Sequence, residues 1–189
     1  MTRNNRAPWG ALLLLTTASL AAGCVVGGGE QTHNYRDLAG VSIHLGNGEV
    51  EVVSDRDRCC ETELHLDLGG VGARTARGDV SVDRDGWLTV DARGLLGGGD
   101  IEVRLPPGVP VEVLVERGDA LVQLDAPADV YGCVAAGSVT IEVPEGGYRL
   151  DLAGGAGAVS VDGVWHDPDA VHTIGACVGA GDVEVVGSW

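Results

Sequence analysis

Apolar and polar residues alternate in a short phrase that the chain repeats, each time beginning on a glycine. The copies are "GEVEV" at 48, "GDVSV" at 78, "GDIEV" at 99, "GDALV" at 118, "GSVTI" at 137, "GAVSV" at 157 and "GDVEV" at 181. A two-residue period is that of a β-strand with one face buried, and the inward places are held mostly by valine and isoleucine, whose branched side chains suit a pleated surface. The intervals between the glycines are 30, 21, 19, 19, 20 and 24 residues, which makes the unit about 20 residues long. A second strand is predicted between successive phrases, in "ELHLDL" (63 to 68), "WLTVD" (87 to 91), "VPVEVLV" (109 to 115) and "GYRLDL" (147 to 152). "PPG" at 106, "PEGG" at 144 and "AGGAG" at 153 supply the fixed or positive φ angles of turns. Outside the first 24 residues no window carries a helical period.

A unit of two short strands and two glycine-rich turns cannot bury its own apolar side, whereas stacked units can. The predicted fold is therefore all-β, a β-solenoid of two-strand rungs over residues 40–189. A β-sandwich is the alternative, because short strands at close spacing are also its signature. The nearly constant register of the phrase favours the solenoid.

The span "LPPGVPVEVLVERGDALVQL" (105 to 124), followed by recurring Gly-Asp-Val-x-Val phrases, resembles the bacterial putative-adhesin repeats, a domain of unknown function found in envelope proteins. The resemblance extends over roughly residues 40 to 189. It implies a right-handed, β-helix-like domain displayed at a membrane in an adhesin-like role, with some relatives linked to envelope stress. No catalytic residue comes with it. This chain departs from the family pattern in four cysteines and in the intervals of 30 and 24 residues, which predict loops.

Arg3 and Arg6 precede an apolar run from Trp9 to Leu20 that is too short to span a bilayer and ends in small residues. That is the pattern of a secretory signal peptide, residues 1–23. The closing "LAAGC" resembles a bacterial lipobox, although Ala21 stands where leucine is usual and Leu20 lies one place further out. The resemblance implies that Cys24 is lipidated, becomes the new N-terminus and anchors the protein to a membrane. Val25 is compatible with outer-membrane sorting if the cell is Gram-negative. Residues 24–39, with "VVGGGEQTHN", read as a flexible tether. The formal charge is −16, and removing the first 23 residues would take away two arginines and no acid. Such a surface repels nucleic acid, leaving an envelope protein, a glycan or a cationic peptide as partners beside the membrane itself.

Candidate chemistry is sparse. The glycine clusters "GGVGAR" at 69 and "GGAGAV" at 154 lead into strands and offer phosphate no helix N-terminus, and a chain without lysine has no P-loop. Arg117-Gly118-Asp119 and Arg77-Gly78-Asp79 fall in the repeat column, so they mark phrase boundaries rather than adhesion triplets. Cys59, Cys60, Cys133 and Cys177 are expected to form disulfides in an exported protein. Cys133 and Cys177 both stand four residues before a phrase glycine and so share a column, but one rung is expected between them. Two rung spacings, about 9 to 10 Å, exceed the reach of a disulfide. Either the 24-residue interval shifts the register, or each cysteine pairs with one of the Cys59-Cys60 doublet. Zinc binding by these thiols with His65 lacks the usual C-x-x-C spacing.

Asp79, Asp100, Asp119 and Asp182, each following a phrase glycine, are weak metal candidates as an acidic ladder, because calcium-binding β-rolls repeat every nine residues. His166, Asp167 and Asp169 in "WHDPD" are the local polar cluster, in strong turn chemistry. Trp87, Trp165, Trp189, Tyr131 and Tyr148 could present platforms for sugar rings or cap the stack. Nothing groups a nucleophile, a base and an orienting acid, so neither an enzyme nor a cofactor is expected. The expectation is a lipid-anchored, extracytoplasmic display or interaction module of the bacterial envelope. Its rivals are an envelope-stress sensor binding cationic ligands and a polysaccharide-acting β-helix enzyme. The enzyme reading finds no concentrated site among the outward Glu51, Ser81, Glu102, Leu121, Thr140, Ser160 and Glu184.

Overall fold

A computed structural model describes residues 24–27, 29–69, 77–93 and 98–188. The expected signal peptide, most of the first glycine cluster and Trp189 lie outside them. The described residues are all-β, with fourteen strands and no helix, joined in one mixed sheet. In chain order the strands are β1 (Cys24–Gly27), β2 (Gly29–Arg36), β3 (Gly40–Ser54), β4 (Glu61–Leu68), β5 (Arg77–Val82), β6 (Trp87–Ala92) and β7 (Gly99–Leu105). There follow β8 (Val111–Gln123), β9 (Val130–Pro144), β10 (Gly146–Ala156), β11 (Val159–Asp162), β12 (Val164–His166), β13 (Thr173–Ala180) and β14 (Val183–Ser188).

The two short strands expected in each unit fuse at β3, β8 and β9 into one long strand with a corner at the phrase glycine. In β8 the buried residues are Val111, Val113 and Val115, then Ala120 and Val122. The odd step from 115 to 120 reverses the face that side chains take. The strand can therefore bend at Gly118 and keep both halves turned toward one core. β3 makes the same step from Leu45 to Val50, and β9 from Val134 to Val139. The bend needs a left-handed backbone: φ is 133° at Gly48, 128° at Gly118 and 139° at Gly137, a region that glycine enters without steric cost. The corners stack so closely that a Cβ on Gly137 would lie 1.7 Å from the carbonyl oxygen of Gly118.

Two arms result. Along the first, the strand order is β1, β5, β6, β3, β8, β9, β13, β10. Along the second, β2, β4, β7, β3, β8, β9, β14 and β11 follow one another. From β6 and β7 onward every pairing in the two arms is parallel, while β1 with β5, β5 with β6, β2 with β4 and β4 with β7 are antiparallel. Ile43, Val113 and Ile174 from the first arm and Val52, Ile141 and Val185 from the second are fully buried in a common core.

Four expectations are corrected here. The phrase glycines stack as 99, 48, 118, 137, 181, 157, which is not their order in the chain. The copy at Gly78 stands apart from this column, in β5 antiparallel to β6. The segment read as a tether supplies β1 and β2. In β2, Gln31, His33 and Tyr35 alternate as half-buried residues along β4, a period hidden in the sequence because two of the three are polar. Last, β13 lies between β9 and β10. The crossing that puts it there is visible in β10. Tyr148 accepts the Asp167 N–H at 2.8 Å, whereas Arg149 donates to the His172 carbonyl at 3.0 Å. Successive residues of a strand point to opposite edges, so residues 167–172 pass from one edge of β10 to the other, and β13–β14 enter between rungs that precede them in sequence.

Candidate functional site

A concave feature lies on the outer face of the first arm, just before the corners. Parallel register brings His44, Leu114, Cys133, Cys177 and Ala153 into one outward row. Glu116, Ala135, Gly179 and Gly155 lie beside that row, nearer the corner. In the last three rungs these places hold alanine, glycine or cysteine, and the missing side-chain volume leaves an apolar groove of about 620 Å³ across the strands. One sequence signal for it was present: "CVAAG", "AGGAG" and "CVGAG" all run small residues into the phrase glycine, where β8 has "VERG".

Polar groups collect at the end of the groove near β3 and β6, where His44, Arg93 and Glu116 line it. Arg93 Nε donates to Asp91 Oδ1 at 3.0 Å, and this hydrogen bond holds the Asp91 carboxyl below its usual range. Ser42 Oγ lies 3.3 Å from His44 Nε2 and donates to Glu112 Oε2 at 3.1 Å. These contacts fix the polar end while the rest of the lining stays aliphatic.

A disulfide joins Cys133 to Cys177, also lining the groove, with a Cα separation of 4.5 Å. No rung intervenes, and the doublet is not involved: the inserted β13 makes the two cysteines direct neighbours. Cys59 and Cys60 are free thiols with their sulfurs 3.3 Å apart, and the hydrogen bond between them pushes the Cys60 thiol up.

The acidic column is not a continuous ladder. Asp100, Glu49, Asp119 and Ser138 follow one another in register. Asp79 sits elsewhere, opposite Asp91. Asp119 Oδ1 accepts the Ser138 N–H and Asp182 Oδ1 the Ala158 N–H, each at 2.8 Å, so both carboxylates tie one strand to the next. His166 Nδ1 accepts the Leu150 N–H at 3.1 Å, and Asp167 Oδ1 the Asp169 N–H at 3.0 Å. Among the described residues no group of three His, Cys, Asp or Glu is placed to hold a metal. His65 lies within hydrogen-bond reach of Thr32 Oγ1, at 3.1 Å. With Glu49, Glu51, Asp67, Asp100 and Glu102 it lines a polar hollow of about 280 Å³ on the second arm. Of the aromatic residues, Tyr148 is buried with its hydroxyl donating to the Pro144 carbonyl at 2.9 Å, and burial raises its phenol. Trp165 and Tyr131 are exposed.

Several solved structures resemble this fold. A putative cell adhesion protein from Clostridium sporogenes covers 84% of this chain and 100% of its own at 12% identity, with a TM-score of 0.46. A putative adhesin from Bacteroides fragilis covers 82% and 96% at 13% identity, with a TM-score of 0.30. For a putative adhesin from Parabacteroides merdae the figures are 85% and 98% at 13% identity, with a TM-score of 0.32. No protein-family profile and no curated protein sequence matches the chain.

Proposed function

We propose that this chain is a non-enzymatic, lipid-anchored envelope protein whose right-handed β-solenoid presents an adhesin-like interaction surface. The observation that carries the reading is the preformed apolar groove of about 620 Å³ on the outer face of the first arm, a size common to binding sites. The Cys133–Cys177 disulfide fits an oxidising, extracytoplasmic setting. A second reading, an envelope-stress sensor for cationic ligands, is favoured by the acidic hollow of the second arm.

One pull-down separates the two. Envelope fractions are passed over the immobilised protein and over Ala135→Phe, which fills the groove from an exposed position. Partners of the groove are retained by the unaltered protein, resist salt and fall at least about tenfold with Ala135→Phe. Partners of the acidic hollow ignore the substitution and elute with salt. Retention of nothing above background removes the interaction-module reading. The anchor has its own check: metabolic labelling with a clickable fatty acid is expected for the full chain and lost in Cys24→Ala, and label that persists there refutes lipidation at this cysteine.

A further inference from the structure

We infer that the groove of the first arm binds one acyl chain of an exogenous single-chain phospholipid with a zwitterionic head. The inference rests on the interaction-module reading and names the ligand of its site.

The groove runs across β3, β8, β9, β13 and β10, four strand spacings or about 19 Å. A volume of about 620 Å³ spread over that length suits a long, slender occupant better than a compact one. An extended peptide is slender too, but its N–H and C=O groups would be desolvated against aliphatic side chains and a sheet face whose own backbone groups are spent in the ladders. An unpaired buried amide is costly. An unbranched hydrocarbon chain has no such groups, and Leu114, Ala135 and Ala153 with the disulfide offer it an apolar lining on the outer face.

The polar end decides the head. His44, Arg93 and Glu116 place one fixed cation and one carboxylate at the same mouth. Asp91 occupies one edge of the Arg93 guanidinium, whose side chain remains 54% exposed and has donors to spare. A phosphate meets Arg93 while an ammonium meets Glu116. A purely anionic head lacks the second contact and faces Glu116, Asp91 and Glu112 besides.

The test uses the full chain in phosphatidylcholine vesicles that carry a photoreactive, clickable lysophosphatidylethanolamine, with a lysophosphatidylglycerol of the same tail as the second arm. Crosslinks are expected on the peptides holding Leu114 to Glu116, Cys133 to Ala135 and Cys177 to Gly179. Ala135→Phe should reduce them at least about tenfold without moving the thermal transition, and Glu116→Gln should weaken only the zwitterionic probe. Labelling that is scattered over the surface, or unchanged by Ala135→Phe, overturns the site. Equal labelling by both probes overturns the head assignment. Labelling that emerges only in Cys24→Ala means that the protein's own acyl chain fills the groove, which overturns an exogenous ligand. Loss of labelling with the envelope pull-down intact defeats this inference alone, whereas failure of both defeats the interaction module as well.

Discussion

Gly137→Ala is expected to lower stability by about 2–5 kcal/mol. An alanine at φ 139° leaves its allowed region, at a cost of about 1–2 kcal/mol. The larger effect is steric. The added methyl would lie 1.7 Å from the Gly118 oxygen, and that oxygen belongs to the backbone, so the corner column must open rather than one side chain turn aside. Forced overpacking of this kind costs a further 1–3 kcal/mol, about the same again. The sum is a large share of the roughly 5–15 kcal/mol that holds an ordinary domain together. Gly108 is the control: its φ is 79°, but a Cβ there meets nothing within 4 Å, so Gly108→Ala should show only the conformational part. Urea midpoints at constant slope measure both, and equal losses at the two positions would refute the stacked corner as a steric constraint.

Removing the disulfide by Cys133→Ala with Cys177→Ala is expected to cost about 2–4 kcal/mol, because the bridge closes a long loop in the unfolded chain. The cysteines are 44 residues apart. The loss should have a place as well as a size. Hydrogen exchange is expected to accelerate first in residues 173–188, which the bridge ties to β9, and last in β3 and β8. If the doubly substituted protein exchanges like the unaltered one, the bridge holds nothing that the parallel ladders do not.

The strands that carry the repeated phrase were legible in the chain. Valine and isoleucine at alternate places in "GDIEV", "GSVTI" and "GDVEV" specify inward faces without reference to neighbours; β7 and β9 contain the first two phrases, and β14 begins at Val183 within the third. Which strand lies beside which was not legible, and the reason is the repeat itself. Val139, Val159 and Val183 present nearly the same surface in the same register, so the rung at 157 and the rung at 181 are interchangeable as neighbours of the rung at 137. The choice falls to local features, the turn around Asp167 and the pairing of Cys133 with Cys177, neither of which has a periodic signature. Assuming that stacking follows chain order is what placed a rung between those cysteines. The groove was legible only as three separate runs of small residues, for a related reason. It is made by what Ala135, Gly155 and Gly179 lack, and only the register that aligns them turns three small residues into one channel.

The insertion of β13 and β14 bears on how the protein acquires its structure. In a stack that follows chain order each rung can dock on the one before it as soon as it is made, so that growth proceeds from a single nucleus. Here β10 and β11 take their pairing along the two arms from β13 and β14 alone, and these in turn pair with β9. Residues 146–162 therefore have no finished surface to join until residues 173–188 arrive, and the two outermost layers close in one concerted step. Because that step waits on contacts distant in sequence, it is the slow one, and until it is complete the edge of β9 stands open to any other strand within reach.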